Sequence, residues 1–339
     1  MWLDIDDPVS KPTAPNFLCR RGRVPGTLEP VAQADVRMLG QVRANATLGH
    51  IWLNSLSLVT KARSPVQRRI FPVRFLLSIS FAVLAAAMTP LIAAAQERIG
   101  VLMLHGKNPG SNVDPTFGFM KGNFERQGWL VAFPDMPWSR GRYLDGNLDK
   151  ALVEIAGHVK GLRDQGATKI VIAGHSMGVP TGMAYAARAG DVDALVQLAP
   201  GHIPLGYYTY PSLKAVRDSV DEARALVAAG KGDSNERFND INQGRQVPVI
   251  TTAKHFLSYF EPTSDAEMSV TAPRIPAKTP VMTVIGEKDP LFSHIKSYYV
   301  DKLPANPKNN YLEVSGGHLD TPRVANDAVI AWIKANVAP

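Results

Sequence analysis

The stretch Ile170-Val-Ile-Ala-Gly-His-Ser-Met-Gly178 decides how this chain folds. It opens on an apolar run, Ile170 to Ala173, rich in β-branched side chains that favour a pleated strand. Residues that are apolar on both faces belong to a strand buried between two layers. Gly174, Ser176 and Gly178 then form a Gly-x-Ser-x-Gly pattern, followed by the helical run Val179–Arg188. A turn this tight between strand and helix strains the serine backbone and pushes its hydroxyl out, while the glycines leave room for both elements. The positive end of the helix points at the same place. The alternative reading is a glycine-rich turn whose serine only caps the helix.

Outward from this turn the same rhythm holds. Ile99–His105, Leu130–Pro134, Lys169–Ala173, Ala194–Leu198, Val281–Ile285 and Tyr311–Val314 read as strands. Phe117–Gln127, Leu148–Gln165, Val179–Arg188, His294–Leu303 and Arg323–Val337 read as helices between them. In Leu148–Gln165, for instance, Leu152, Ile155, Ala156 and Val159 fall on one helical face. Strands alternating with helices predict an α/β fold, with an open, mostly parallel sheet of about six strands covered by helices on both faces. One region departs from the rhythm. Gly201 to Lys278 holds a helix at Ser212–Ala229, a polar stretch Gly230–Arg245 and then Val247–Phe260. A connection this long is usually functional, and about 202–278 reads as a lid insertion. Its Phe256, Leu257, Tyr259 and Phe260 either line an apolar pocket or form the core of the lid.

A serine hydroxyl needs a base beside it and a carboxylate to orient that base. In a sheet of this kind both follow the nucleophile at the ends of later strands, acid first. Asp289 lies just past Val281–Ile285 and His318 just past Tyr311–Val314, so Ser176, His318 and Asp289 are the predicted triad. Glu287 and Asp320 are rival acids, and His294 is a rival base. The oxyanion donors are expected from the amides of Met177 and Lys107, the latter in the loop His105-Gly-Lys-Asn-Pro109 after the first strand. His202 and the loop carrying Trp138, Arg140 and Arg142 follow other strands and are candidates for substrate contact. His105 and His175 adjoin the site but fall before or inside its turns.

Other chemistries find no foothold in the pattern. The histidines lack metal-ligand spacing, and no His-Glu-x-x-His occurs. Gly230-Lys-Gly-Asp-Ser234 follows a helix and lacks the upstream glycine of a phosphate loop. No cofactor is therefore expected. The chain carries a formal net charge of +7, but 11 of 37 basic and 5 of 30 acidic residues precede Gln96. The remainder is nearly neutral, which argues against nucleic acid and leaves a small molecule as the expected partner. The single cysteine, Cys19, excludes an internal disulfide.

Residues 1–67 mix Pro, Gly, Arg and polar side chains without periodicity and read as a non-native or disordered leader, which implies a non-standard start codon near Val66. Across 68–95, the cations Arg68, Arg69 and Arg74, the apolar run Phe75 to Ala87 and the small residues Ala93 and Ala95 form the three parts of a secretory signal peptide. Cleavage after Ala95 predicts a periplasmic or secreted protein. If retained, Phe75–Ala95 approaches the roughly 20 residues that span a bilayer and would anchor the chain in a membrane.

On His105-Gly106, Gly174-His-Ser-Met-Gly178, Asp289 and His318, the chain from Arg98 to Val337 resembles the α/β-hydrolase family. It is similar to small, single-domain, often exported bacterial members, including the aromatic-rich segment Thr251 to Met268. The resemblance implies a cofactor-free serine hydrolase acting on esters, thioesters, amides or lactones, over residues 96–339. It also implies a departure, because no space exists between Gln96 and Ile99 for the family's usual first antiparallel strands. A carboxylic ester or thioester is the leading substrate, with an amidase or lipase as a variant. A non-catalytic binding module on the same fold is the second hypothesis.

Overall fold

The computed structural model describes residues 97–242 and 244–337. The leader, Cys19 and the Phe75–Ala95 segment lie outside the described residues. In chain order the elements begin with β1 (Ile99–Leu104), α1 (Pro115–Glu125), β2 (Leu130–Ala132), α2 (Leu148–Asp164), β3 (Lys169–Ser176), α3 (Gly178–Ala189) and β4 (Ala194–Pro200). The insertion follows with α4 (Pro204–Thr209), α5 (Lys214–Ala228), β5 (Asn235–Asn242), β6 (Arg245–Thr252), α6 (Ala253–Phe260) and α7 (Met268–Thr271). The chain then completes the sheet through β7 (Val281–Gly286), α8 (Ile295–Tyr298), β8 (Asn310–Val314) and α9 (Thr321–Asn336).

The main sheet has six strands in the order β2-β1-β3-β4-β7-β8, all paired in parallel. It bears out the predicted fold class. Side chains alternate between two dry layers, as a strand's period of two requires. Leu102, Leu104, Ile170 and Ile172 join one core with α2 and α3, while Val101, Met103, Val171 and Ala173 join the other with α1 and α9. Burying a side chain of this size contributes roughly 1.5–3 kcal/mol. Both layers are needed, because β1 is buried along its whole length.

Local chemistry starts the helices where the sequence changes character. Asp114 caps α1 by accepting from the Thr116 amide at 2.8 Å, with Pro115 in the first turn. Asn147 caps α2 through the Lys150 amide at 2.9 Å. Helix α3 stops at Gly190, whose φ of +64° suits a residue without Cβ. The predicted helix at His294–Leu303 is broken into α8 and a single 3-10 turn at Val300–Lys302. Tyr299 is the cause: it is fully buried, and its hydroxyl reaches Gln197 Oε1 at 2.6 Å, drawing the backbone to φ −145°.

The chain reverses direction across the sheet at β1, since β2 lies on one side of it and β3 on the other. A crevice at the carboxyl ends of such strands is where α/β sheets place their ligands. The insertion stands between β4 and β7 in sequence. Its polar stretch is in part a strand, because β5 pairs antiparallel with β6 from Asn235↔Thr252 to Asn242↔Arg245. Phe256 and Phe260 stack with ring centres 4.2 Å apart, and Phe238 stacks on Phe256 at 4.5 Å. These rings are core of the insertion, with Phe256, Tyr259 and Phe260 at most 1% exposed. Among the described residues no helix is long and apolar enough to cross a membrane.

Candidate active site

Ser176 ends β3 with φ +53°, a left-handed backbone that an L-residue adopts only under constraint. The constraint comes from crowding on both sides. A Cβ on Gly174 would sit 2.4 Å from the Gly178 carbonyl oxygen, and one on Gly178 would sit 2.0 Å from that of Leu104. The strand and helix therefore pass closer than any side chain permits. Strain continues next door, where Ala199 and His202 have φ of +42° and +66° at the end of β4. Such positions cost on the order of 1–3 kcal/mol each and persist where the surroundings over-determine them.

His318 and Asp289 arrive on two loops that are themselves laced together. The Glu287 amide donates to the Val314 carbonyl at 2.8 Å and the Lys288 amide to that of Gly316 at 2.9 Å. This places His318 Nδ1 2.7 Å from Asp289 Oδ2. The carboxylate accepts, so Nδ1 is the donor and Nε2 is the ring nitrogen left to face the serine side. Asp289 is 5% exposed and its other oxygen accepts from the Leu291 amide at 2.9 Å. The rival acids are placed elsewhere: Glu287 is exposed, and Asp320 accepts from the Gly317 amide at 2.9 Å. His294 opens the short helix α8.

Serine and histidine meet over Gly201, a residue that sequence reasoning did not single out. A Cβ there would lie 2.7 Å from Ser176 Oγ and 3.3 Å from His318 Cε1. Its position directly after a buried strand, beside the candidate His202, was the available signal. The His318–Asp289 contact is a formed hydrogen bond, whereas Ser176 and His318 are joined by proximity.

The loop after β1 faces this pair. A Cβ on Gly106 would be 3.3 Å from that of Ser176, so the glycine permits the close approach. Neither the Lys107 nor the Met177 amide finds an acceptor among the described residues. Trp138 was a candidate for substrate contact, but it is fully buried, and its indole N–H donates to the His105 carbonyl at 2.8 Å. Its surroundings make it a prop for the loop. Arg140 is exposed, and its backbone amide donates to the Gly110 carbonyl at 2.9 Å. Arg142 pairs with Glu154 at 2.7 Å and Asp145 at 2.9 Å.

Three buried histidines surround the site as neutral rings. His105 accepts from the Met136 amide at 3.0 Å, and burial lowers its pKa. His175 donates from Nε2 to the His318 carbonyl at 3.1 Å; burial, then the neighbouring His318, pushes it down to about 4. His202 donates to the Tyr259 carbonyl at 2.8 Å, and burial, then Lys107, pushes it down to about 3. Among the described residues the Nδ1 atoms of His175 and His202 have no hydrogen-bond partner.

No family model matches the chain, and no curated protein matches it. Solved structures do. One is a Paleococcus ferrophilus monoacylglycerol lipase, at 18% identity and TM-score 0.52 over 71% of this chain and 97% of that one. DcsB in complex with its substrate analogue matches at 18% identity and TM-score 0.52, over 72% and 92%. A highly thermostable carboxyl esterase from Bacillus coagulans in complex with glycerol matches at 14% identity and TM-score 0.50, over 71% and 91%. At these identities the likeness is one of fold, and the chain has the α/β-hydrolase fold.

Proposed function

We propose that the chain is a serine hydrolase that cleaves a carboxylic ester or thioester through an acyl-enzyme on Ser176. One observation carries the reading: Ser176 Oγ and the His318 ring converge over Gly201, and His318 is already oriented by Asp289 at 2.7 Å. His318 Nε2 takes the hydroxyl proton as Oγ bonds to the carbonyl carbon, and the carbonyl π pair moves onto its oxygen. The amides of Met177 and Lys107 receive that charge, aided by the start of α3. Collapse expels the alcohol or thiol, which takes the proton from His318. Water then repeats the sequence and releases the carboxylic acid. Two of the similar folds bear the names lipase and carboxyl esterase, which supports ester chemistry. An amidase or lipase would use the same residues. In this reading the 202–278 insertion is the lid, and His202 and Arg140 are proposed to line the substrate's approach.

The proximity of Ser176 and His318 without a closed hydrogen bond favours a second reading, a binding module without turnover. Intact-mass analysis after exposure to a fluorophosphonate, on the full chain and Ser176→Ala, separates the two. A single adduct on wild type and none on the variant is expected. Well-folded wild type that takes no adduct would hand the site to the binding module.

We also infer export through cleavage after Ala95. N-terminal sequencing of exported material should begin at Gln96; a retained segment would make the protein membrane-anchored instead.

A further inference from the structure

We propose that Lys107 is a positioning residue, whose buried ion pair with Asp240 lets the insertion hairpin hold the Lys107 amide where oxyanion charge develops. The inference rests on the serine-hydrolase reading above, in which that amide is one of the two donors.

The backbone around Lys107 is held on both sides by bonds within and beside its own loop. Its carbonyl accepts from the Gly110 amide at 2.8 Å, and the next amide, of Asn108, donates to the Trp138 carbonyl at 3.0 Å. The Lys107 amide itself has no acceptor among the described residues, while the carbonyl of its peptide unit, that of Gly106, accepts from His105 Nδ1 at 2.7 Å. The side chain adds an anchor from outside the loop. Lys107 is 8% exposed, and Nζ donates to Asp240 Oδ1 and to the Ile241 carbonyl, both at 2.7 Å. The ammonium also sits 5.3 Å from the centre of the Tyr207 ring. Asp240 is fully buried on β5, and its second oxygen accepts from the Tyr143 hydroxyl. Burial is the largest single influence and lowers the Lys107 pKa, but Asp240 and Tyr207 together raise it above its ordinary value, so the lysine stays charged.

A charged pair is a poor choice for stability at such a place. Removing both ions from water offsets most of their attraction, and apolar residues of similar size commonly do as well or better. What the pair supplies is direction. A buried cluster of Lys107, Asp240, Tyr143 and the Ile241 carbonyl restricts where the lysine can lie, and a misplaced oxyanion donor forfeits rate. The hairpin thereby reaches the reaction through the loop without touching the substrate.

The test compares Lys107→Met, Asp240→Asn and the double variant in the full chain. The readouts are p-nitrophenyl acetate hydrolysis, the rate of fluorophosphonate labelling at Ser176, and the melting temperature. Each single variant leaves a buried partner uncompensated and should melt lower, whereas the double variant is neutral and should recover much of that loss. All three should lose about 10- to 100-fold in kcat and in labelling rate, with KM within about twofold, since a displaced donor acts on the transition state. Recovery of wild-type kcat in the double variant along with its stability would reduce the pair to a structural brace and overturn the proposal. Wild-type rates in the single variants would overturn it too. A wild-type protein that takes no label at Ser176 would instead remove the serine-hydrolase reading on which it stands.

Discussion

On the two faces of the sheet, Leu102 and Ile172 on one side and Val101 and Val171 on the other are buried in apolar clusters. Across the seam to the insertion, Lys107 meets Asp240, and Asp240 meets Tyr143. Both places are dry, but they are held differently. Apolar burial is non-directional and scales with area, so it makes the sheet stable without specifying atom positions closely. A buried ion pair adds little net stability, yet it tolerates few geometries. The difference teaches that stability and precision are assigned to separate contacts here, with precision concentrated where the loop after β1 meets the hairpin.

The largest effect should come from breaking the sheet side at its tightest point. Gly178→Ala gains helix propensity of about 1 kcal/mol. Its Cβ, however, would lie 2.0 Å from the Leu104 carbonyl oxygen, a backbone atom that cannot step aside. A net loss of about 4 kcal/mol or more is expected, read by urea unfolding. If the variant proves as stable as wild type, β1 and α3 are not packed as described.

Acid should act next, and on the polar side. His175 and His202 stay neutral in the fold down to about 4 and 3, while an unfolded histidine takes up its proton near 6.5. The unfolded chain thus binds more protons below pH 6.5, and stability falls as the pH drops from there towards 4 and 3. At pH 4.5 each ring should account for about 2.5 kcal/mol. Unfolding midpoints at pH 7 and 4.5 test this. His202→Asn, which tolerates the left-handed backbone, should remove about half of the histidine share.

The smallest change is Trp138→Phe, which keeps an aromatic ring and deletes the N–H that reaches the His105 carbonyl at 2.8 Å. A loss of about 1 kcal/mol in unfolding free energy is expected. A loss above about 3 kcal/mol would mean that this ring supports more than one loop.

The sheet was legible because its code is local. Ile170 to Ala173 declares a buried strand, and Gly174, Ser176 and Gly178 declare the turn, within nine residues of chain. Asp289 and His318 were equally open to reading, since each follows a strand that its own apolar run announces. The hairpin was hidden for the opposite reason. On β5 the inward positions are Phe238 and Asp240, so alternation fails at an acid whose justification lies 133 residues away in Lys107. The same distance concealed the lysine side chain: the sequence points to its amide, while its ammonium answers to a partner on another element. Trp138 was a candidate for substrate contact because its loop follows β2, and burial of the ring cannot be read from that position. Tyr299 broke a helix for a comparable reason, since its hydrogen bond to Gln197 joins elements 102 residues apart.

The Lys107–Asp240 contact also bears on how such a protein could be rebuilt. Insertions between β4 and β7 look like interchangeable cassettes, to be exchanged when a new specificity is wanted. Here the cassette carries the counter-ion of a cation that belongs to the chassis. A chimaera that replaced residues 202–278 would strand a buried ammonium unless position 107 were changed with it. The unit of exchange is therefore the insertion together with one residue of the first loop.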